Sequence, residues 1–522
     1  MSRVILIFNT VRFLKGSQLF WQILNRIRPK RYVRNVIVNL ECKPINFLRT
    51  PTVVDKFKQP LGFTFLNQSI EFDTSINWNY NKFGKLWTYN LEYFDYLAQD
   101  NISIDIGRRL INDFYRFSIE YKRILEPYPV SLRAINIIRF SVKNHLFNEE
   151  YMSFVYQELD YLDSHCEYHL LGNHLLENSF SLLLGGAFFQ NNSWVSSGIN
   201  ILKSELQEQV IEDGGHFELS PMYHCIIFYR LLELIDWYKT YDSKDINFLN
   251  FCLSKAALMR SWLEQICFEN GDIPLFNDSA NNIAFDTKFL FQYADELFIK
   301  SSNMALNTSG YRSYKASDYE IKMDFAEIGA KYQPGHAHAD ALSFILYYKG
   351  EPLFVEQGTS TYEAGNRREL ERSTDAHNTV VVNNKNQSEV WGGFRVGKRA
   401  KSIILTEKDG FYEGEHNGYL DCGVKHRRQY RFDGACVRIK DILDGETVGG
   451  KAAFHVHPEN DLEIKGNTVR ISNKALCEFE NATTIQIETY DYAESYNRYQ
   501  KAKRIIVKFE TILDTTITFN NL

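Results

Sequence analysis

Residues 212–240, which read EDGGHFELSPMYHCIIFYRLLELIDWYKT, decide the fold class. The glycine pair predicts a sharp turn, and Ser220-Pro221 is a typical start of a helix. From residue 222 to 240, apolar residues recur at intervals of three and four, as they do on the buried face of an amphipathic helix. Short loops between such segments favour antiparallel helix pairs, and hence a bundle, solenoid or toroid. The same pattern predicts further helices at 104–121, 131–144, 149–166, 175–189, 195–213 and 246–269.

The pattern changes near residue 310. Short runs rich in β-branched and aromatic residues, separated by Gly-Glu, Asp-Gly and Asn-Asn turns, predict an antiparallel sandwich. These runs are 341–348, 352–356, 378–382, 402–406, 429–432, 435–442, 468–471 and 504–509. We therefore predict several domains, α then β: a basic N-terminal segment and lead-in at 1–84, a helical domain at 85–305 and a β-sandwich domain at 306–522.

Composition excludes several classes of protein. The 522 residues are 15% aromatic, which is too apolar for a disordered chain, and a net charge of −6 gives no sign of a nucleic-acid-binding protein. No run reaches the roughly 20 apolar residues of a transmembrane segment. The eight cysteines include no CxxC pair, so neither a disulfide framework nor a cysteine zinc site is indicated.

The N-terminus is strongly basic. Residues 1–40 contain eight Lys or Arg and no acidic residue. The apolar run 4–8 is shorter than the core of a signal peptide and ends near Arg12, so we expect a cytoplasmic protein, with a periplasmic one as the alternative. Residues 17–27 read as a basic amphipathic helix. It either packs on the body with a solvated basic face or contacts an anionic surface, such as a membrane (peripherally) or an acidic polymer.

Two polar motifs fall in the predicted helical half. In GNHLLEN at 172–178, helical spacing brings Asn173, His174 and Glu177 to neighbouring positions, although a capping Asn and a core His would give the same pattern. In the 212–224 motif, Tyr223 falls in the first turn of a helix. That position favours a tyrosinate or a bound carboxylate, whereas most tyrosines only pack.

Two more motifs fall in the predicted sheet. In QPGHAHAD at 333–340, strand alternation would place His336, His338 and Asp340 on one face. With carboxylate and His residues from the following strands, this spacing suits a zinc site with an open position, and a hydrogen-bonded His cluster is the alternative. The segment from 358 to 372 leads from a strand into a polar, basic loop that either binds carboxylate or sulfate or is merely solvated.

These motifs together resemble those of the heparinase II/III-type polysaccharide lyases. GNHLLE at 172–177, EDGGHFELSPMY at 212–223, GHAHADALSF at 335–344 and HNTVVV at 377–382 occur in that family's order. The segment LWTYNLEYF at 86–94 is similar to the start of the family's helical domain. The resemblance implies an incomplete (α/α) toroid followed by an antiparallel β-sandwich. It also implies cleavage of a uronic-acid-containing acidic polysaccharide by β-elimination.

The resemblance implies roles for five residues. β-Elimination removes the C5 proton and breaks the C4–O bond, so the charge that develops at the uronate carboxylate must be neutralised. Asn173 and His174 are expected to face that carboxylate. Tyr223 is the leading candidate for the acid at O4, with the base role also open to it, and His336 is the second catalytic candidate. Tyr362 resembles a catalytic tyrosine found in some branches of the family.

The resemblance also implies a metal ion, and the negative net charge calls for residues that bind an acidic substrate. The family's metal pattern maps to His338, Glu356 and His377, with Glu356 where relatives often have Asp, and the expected Zn²⁺ braces strands near the cleft. Glu177 is expected to position His174 or a sugar hydroxyl. Because the net charge is negative, substrate binding needs a local basic patch. Its candidate residues are Arg133, Arg230, Arg367, Arg368, Arg372 and Arg395.

Two other functions remain open. A glycoside hydrolase on an α/α toroid would use two carboxylates among Glu212, Asp213 and Glu218, although the adjacent pair point apart. A glycan-binding or assembly protein would keep the fold with a decayed site. Without an evident export signal, we expect a lyase that acts beside the synthesis of a capsule or exopolysaccharide.

Overall fold

The computed structural model describes residues 3–49, 51–446 and 449–520. Its α-helices are α1 (Arg3–Val11), α2 (Gly16–Ile27), α3 (Lys85–Tyr93), α4 (Ile104–Glu120), α5 (Pro127–Lys143), α6 (Tyr151–His165), α7 (Gly172–Phe188), α8 (Asn192–Gln209), α9 (Pro221–Tyr238), α10 (Ile246–Ile266), α11 (Thr287–Glu296) and α12 (Asn366–Glu371). Its strands are β1 (Phe57–Lys58), β2 (Gly62–Phe65), β3 (Gln68–Glu71), β4 (Tyr311–Lys315), β5 (Tyr319–Asp324), β6 (Phe344–Tyr348), β7 (Glu351–Phe354), β8 (Val380–Val382), β9 (Val390–Trp391), β10 (Arg395–Val396), β11 (Ser402–Lys408), β12 (Phe411–His416), β13 (Val424–Phe432), β14 (Cys436–Gly445), β15 (Gly450–His455), β16 (Leu462–Lys465), β17 (Thr468–Ile471), β18 (Ala475–Ser495) and β19 (Arg498–Phe519).

Two helices form the interior of the helical half. All residues of α7 except His174 are buried, and all residues of α9 except Tyr223 and Ile226 are buried. α9 begins as the sequence predicts, since Pro221 occupies its first turn and the Ser220 hydroxyl accepts a hydrogen bond from the Tyr223 N–H. A helix that is apolar all round lies inside a fold. The few positions left open on these two helices therefore face a cavity rather than the core.

The sheet half is a sandwich of antiparallel strands. A four-stranded sheet in the order β4-β5-β6-β7 packs against a larger sheet in the order β11-β12-β13-β14-β19-β18-β17-β16, which β15 and β8 extend from β19. Aromatic rings from both sheets, such as Phe344 and Phe454, meet in the core. The long β18–β19 hairpin reaches the helical half, where Tyr496 packs with Met222 and Ala280. The fold is an incomplete (α/α) toroid followed by a β-sandwich, as predicted.

One local prediction is wrong. The segment 333–342 forms turns instead of a strand, and β6 begins only at Phe344. The cause lies in the hydrogen bonds around its two histidines, which go to a loop rather than to a neighbouring strand. The His336 carbonyl accepts from the Asp278 N–H at 3.0 Å, and the His338 N–H donates to the Asn277 side chain at 2.8 Å. The loop between α10 and α11 thus holds this segment of the sheet half.

The basic N-terminal segment packs across both halves. Gln18 on α2 is buried and donates to the carbonyls of Leu170 and Tyr332, at 3.4 and 3.5 Å. Thr10 on α1 accepts a hydrogen bond from the indole of Trp391 in the sheet half. Among the described residues, none of the helices is both long and apolar enough to span a bilayer.

Candidate active site

A cleft of about 1740 Å³ lies between the helical and sheet halves. The open residues of the two interior helices, His174 and Tyr223, line it from one side. His336 and Tyr362 line it from the sheet half. Aromatic rings supply much of the remaining wall, as in sites that bind sugar rings. These rings are Tyr89, Tyr93, Tyr128, Tyr229, Tyr332, Trp391, Phe394 and Tyr496.

Asn173 is fixed at the first turn of α7 by Glu218. Both the backbone N–H and the side-chain amide of Asn173 donate to the Glu218 carboxylate, each at 3.1 Å. Gly172 has a φ of 59°, and a Cβ there would lie 2.5 Å from the Glu218 carboxylate. Only glycine therefore allows the carboxylate to approach the helix end so closely. The Asn173 amide is held at the cleft wall by a buried carboxylate.

Asp278 connects the two histidines of the 333–340 motif. Its carboxylate accepts from His336 Nδ1 at 2.9 Å and from His338 Nε2 at 2.8 Å, and both its oxygens bind the Arg368 guanidinium. Asp278 and Arg368 are fully buried. Although burial alone would raise it, the Arg368 charge and the imidazole hydrogen bonds hold the pKa of Asp278 well below its usual range. Asp278 is thus an ionised acceptor that orients both rings.

Tyr223, Tyr362 and His336 form one contact group in the cleft. The Tyr223 and His336 rings stack with centroids 4.0 Å apart, and the two phenol oxygens lie 3.2 Å from each other. The Tyr362 hydroxyl is 3.5 Å from His336 Nδ1. Burial raises the pKa of Tyr223 well above its usual range. The helix end therefore does not favour a tyrosinate here, and Tyr223 is a neutral phenol that can donate a proton.

His174 places an imidazole with a raised pKa at the same cleft. Its Nδ1 lies 3.2 Å from the buried Glu167 carboxylate, and its ring packs on Tyr128 with centroids 4.4 Å apart. Although burial opposes protonation, the Glu167 charge and hydrogen bond raise the pKa of His174. The side chain remains 28% exposed toward the cleft. Asn173 and His174 thus place an amide and an imidazole whose protonated form is favoured at neighbouring positions of one wall.

The second histidine of the motif belongs to a buried group. One ligand atom from each of His338, Asp340 and His377 lies within 4.8 Å of the others. His338 Nδ1, His377 Nε2 and one Asp340 oxygen are buried and have no hydrogen-bond partner among the described residues. Burial raises the pKa of Asp340 to about 6. Two imidazoles and a carboxylate with unpaired atoms in one place fit a divalent metal such as Zn²⁺.

The predicted ligand Glu356 lies behind this group. One of its carboxylate oxygens accepts a hydrogen bond from His377 Nδ1, and the other, Oε1, is buried without a hydrogen-bond partner among the described residues. Carboxylates commonly orient metal-binding imidazoles in this way. Asp340, from the motif itself, joins His338 and His377 as a candidate ligand, and Glu356 stays a predicted one.

Comparisons with known proteins identify the family. The family model for the heparinase II/III N-terminus matches residues 134–305, and the one for the heparinase II/III-like C-terminal domain matches residues 300–520. The chain belongs to the heparinase II/III family. A curated relative, heparin-sulfate lyase from Bacteroides stercoris, is 25% identical over 326 residues, which are 56% of this chain and 47% of the relative. The chain spans about half the length of the curated relatives it matches.

Solved structures of polysaccharide lyases share the fold. A crystal structure of heparinase III superposes with a TM-score of 0.67 at 18% identity, over 87% of this chain and 81% of the other. Chondroitin AC lyase from Streptomyces coelicolor superposes with a TM-score of 0.53 at 8% identity, over 83% and 75% of the two chains. At such identities the likeness concerns the toroid-plus-sandwich fold alone.

Four of the six arginines predicted to bind substrate do not line the cleft of this family member, and Arg133 and Arg372 among them are buried against interior acceptors. Arg133 is buried and forms a two-pronged ion pair with Glu158. Arg372 is buried and donates to backbone carbonyls, among them that of Ala337, and burial lowers its pKa to about 9. These guanidiniums satisfy interior acceptors and cannot reach a ligand.

The remaining arginine predictions have mixed outcomes. Arg367 binds Glu371 and Asp491, and Arg368 binds Asp278, so neither lines the cleft. Arg230 does line the cleft, but its charge is paired with the carboxylate of Glu177. The predicted substrate contact Glu177 is therefore engaged in an ion pair. Arg395 lines the cleft, lies over the Trp391 ring and has no carboxylate partner among the described residues.

The carboxylates required by a hydrolase are not assembled. Glu212 is exposed and accepts from Thr308, while Asp213 is buried and accepts from Ser309. Glu218, the third candidate, is committed to Asn173. Inverting and retaining glycosidases both need two carboxyl groups on opposite sides of one bond. The three predicted candidates do not form such a pair.

Sequence reasoning missed Asp278, which holds His336, His338 and Arg368. It lies in the polar run Asn277-Asp278-Ser279, directly after the buried Phe276. Such a run after an apolar segment indicates a turn. It does not tell how close the turn lies to residues 336–338 in the folded chain. The only signal in the sequence was the Asn and Asp content of this run, because such side chains often form hydrogen bonds with nearby backbone groups.

Proposed function

We propose that this chain is a polysaccharide lyase that cleaves an acidic, uronate-containing polymer by β-elimination. The observation that carries the proposal is the stacked pair of His336 and Tyr223 in a cleft, with His336 oriented by an ionised Asp278. A base and an acid in contact on one side of a cleft suit a reaction that removes one proton and delivers another to neighbouring atoms.

The hydrogen bond at Nδ1 of His336 makes the other ring nitrogen, Nε2, the candidate base. Because the Asp278 carboxylate accepts at Nδ1, that nitrogen carries the proton, and in the neutral ring the lone pair is on Nε2, which lies 3.7 Å from the Glu218 carboxylate. Nε2 then removes the C5 proton of the uronate, and the electron pair left on C5 forms the C4=C5 double bond. The C4–O bond breaks, and the neutral phenol of Tyr223 protonates the leaving oxygen. The Tyr362 hydroxyl, 3.2 Å from that of Tyr223, can return a proton to it.

The uronate carboxylate needs positive and hydrogen-bonding partners. Removal of the C5 proton adds negative charge to this group, so donors that face it lower the barrier. Asn173 and His174 supply an amide and a charged imidazole from one turn of α7. Glu218 and Glu167 hold these two side chains in place through hydrogen bonds. Arg395 offers a further unpaired charge for the polymer.

A bound metal is part of the proposal. His338, Asp340 and His377 would hold Zn²⁺, and when bound the ion would add a fixed positive charge and brace the segments that carry these residues. The elimination itself is carried out by His336 and Tyr223. Asp278 links the two sites because it also holds His338.

The substrate is proposed at the level of a chemical class. Aromatic rings along the cleft can stack on sugar rings, and the donors above suit a carboxylate. The curated relatives are named heparin-sulfate lyases, which makes sulfated glucuronate and iduronate polymers one arm of a substrate panel. Capsular and exopolysaccharide uronans form the second arm, since we propose a role beside the synthesis of such polymers.

The experiment is a screen of these polymers by ultraviolet absorbance. A lyase produces an unsaturated uronate that absorbs, whereas a hydrolase produces new reducing ends without absorbance. We expect absorbance with at least one polymer and its loss in Tyr223→Phe. The matched control is Tyr121→Phe, which removes a hydroxyl from an exposed tyrosine. Reducing ends without absorbance, or full activity of Tyr223→Phe, would contradict the proposal.

A further inference from the structure

Helices α1 and α2 carry apolar side chains on the face that points away from the body. On α2, Phe20, Ile23 and Ile27 follow helical spacing along one side and are 59%, 62% and 75% exposed. Ile5 and Phe8 on α1 are also exposed. Contiguous exposed apolar surface of this kind marks an interaction site more often than isolated apolar residues do.

The outward position of this face is fixed by contacts on the opposite face. Trp21 stacks on Tyr168 with ring centroids 5.0 Å apart, and Asn25 bonds to His169 at 3.1 Å. With the buried Gln18 these residues anchor α2 to the helical half. The apolar side chains therefore remain outside in the folded protein, although α2 itself is docked.

The charged side chains of the segment that carries this face have one sign. Residues 1–40 carry eight basic and no acidic side chains, in a chain whose net charge is −6. Lys15 pairs with Glu208, but Arg12, Arg26 and Lys30 are exposed without a carboxylate partner among the described residues. Such unpaired basic charge beside apolar side chains is complementary to a surface that is both anionic and apolar.

We propose that α1 and α2 bind the surface of an anionic lipid membrane, with the apolar residues in the headgroup region and the basic residues among the lipid charges. A second copy of the chain fits less well, because a symmetric contact would bring two basic segments together. An acidic polysaccharide alone would leave Phe20, Ile23 and Ile27 unused. Ile7, Gln18 and Gln22 on the same helices line the cleft, so docking would hold the cleft beside the bilayer.

The test is co-sedimentation of the full chain with vesicles. We expect binding to vesicles of phosphatidylcholine with phosphatidylglycerol, weakening as salt is added, and no binding to phosphatidylcholine alone. The triple variant Phe20→Ser, Ile23→Ser, Ile27→Ser should bind at least tenfold more weakly. Arg12→Glu with Arg26→Glu and Lys30→Glu should lose the preference for anionic lipid. The matched control is Phe298→Ser, which removes an apolar side chain that is 88% exposed elsewhere.

Three outcomes would overturn the inference: no binding of the wild-type chain, equal binding of the triple apolar variant, or a solution dimer that this variant dissociates. All the altered side chains are exposed, so unchanged thermal unfolding should accompany each substitution. The substituted residues lie outside the cleft, and activity on soluble polymer is measured separately. A failure of membrane binding is therefore distinguishable from a failure of the proposed lyase activity.

Discussion

His336 and His338 are two residues apart and bind the same carboxylate, yet their rings lie in different surroundings. His336 uses Nδ1 for Asp278, and its ring stacks on Tyr223 at the cleft. His338 uses Nε2 for Asp278, and its Nδ1 is buried beside Asp340 and His377. The surroundings of the second nitrogen, rather than residue type or spacing, set the role of each imidazole.

The comparison also shows what Asp278 does. A carboxylate that accepts from one ring nitrogen leaves the other nitrogen with a lone pair. On His336 we propose that this lone pair, on a nitrogen 3.7 Å from the Glu218 carboxylate, acts as the base, and on His338 it lies in a group suited to a metal. Burial lowers the pKa of His338 to about 3, so this ring is neutral at ordinary pH, which is the form that binds metals.

The largest expected effect is a difference in kcat between the alanine variants of the two histidines. His336→Ala removes the proposed base and should lower kcat by a factor of about 10²–10⁴ with little change in the thermal midpoint. His338→Ala removes a buried hydrogen bond and should cost about 1–3 kcal/mol of stability. The activity of its folded fraction should fall much less. The measurements are steady-state kinetics by ultraviolet absorbance and thermal unfolding.

The two variants serve as controls for each other. Equal losses of kcat in the two would mean that both rings act as one unit. A His336→Ala enzyme with normal kcat would remove His336 from the mechanism and leave Tyr223 as the base.

The sequence predicted the fold class because periodicity reports burial directly. Local patterns of apolar residues mark the interior helices α7 and α9 and the antiparallel strands. Tyr223 lies in the first turn of α9, as the Ser220-Pro221 helix start predicts. The site was predicted in part. Asn173, His174, Tyr223, His336 and Tyr362 line one cleft, as the resemblance implied.

The missed features depend on contacts between distant segments. Asp278 meets His336 across 58 positions of sequence and Arg368 across 90, and no local pattern contains such distances. The arginine predictions were wrong at Arg133 and Arg372 for the same reason, because their partners lie on other elements. The strand predicted at His336 fails because its backbone bonds to the 277–278 loop.

The next effect removes what the two histidines share. Asp278→Asn leaves the buried Arg368 guanidinium without its counter-ion and should cost about 3–5 kcal/mol. It should also change the pH profile of kcat, since an amide no longer fixes the His336 tautomer. Asp278→Glu should restore part of both. Asp242→Asn, at an exposed ion pair with Lys43, is the control and should leave the thermal midpoint nearly unchanged. Full stability of Asp278→Asn would sink the link between the two sites.

A smaller effect tests the buried side of the comparison through its metal. Chelation should lower the thermal midpoint of the wild-type chain, because an ion present at about 100 times its Kd contributes about 2.7 kcal/mol. His377→Ala should show the lower midpoint already and no further change with chelator. His336→Ala, on the cleft side, should respond to chelation as the wild type does. Metal content by mass spectrometry identifies the ion, and identical midpoints before and after chelation would contradict a bound metal.

The smallest effect concerns the partly exposed pair of His174 and Glu167. The folded state raises the pKa of His174, so the stabilisation is complete below the unfolded value of about 6.5 and is lost as pH rises through the folded value. The pKa of Glu167 is lowered despite its burial, so its contribution is lost as pH falls below about 4.5. His174→Gln should therefore cost more stability at pH 6 than at pH 9, by under about 1 kcal/mol. His145→Gln, at an exposed imidazole without a carboxylate partner among the described residues, should show no such difference. Because His174 also faces the cleft, the same loss of charge should raise KM for the acidic polymer at high pH, whereas Arg395 keeps its charge there.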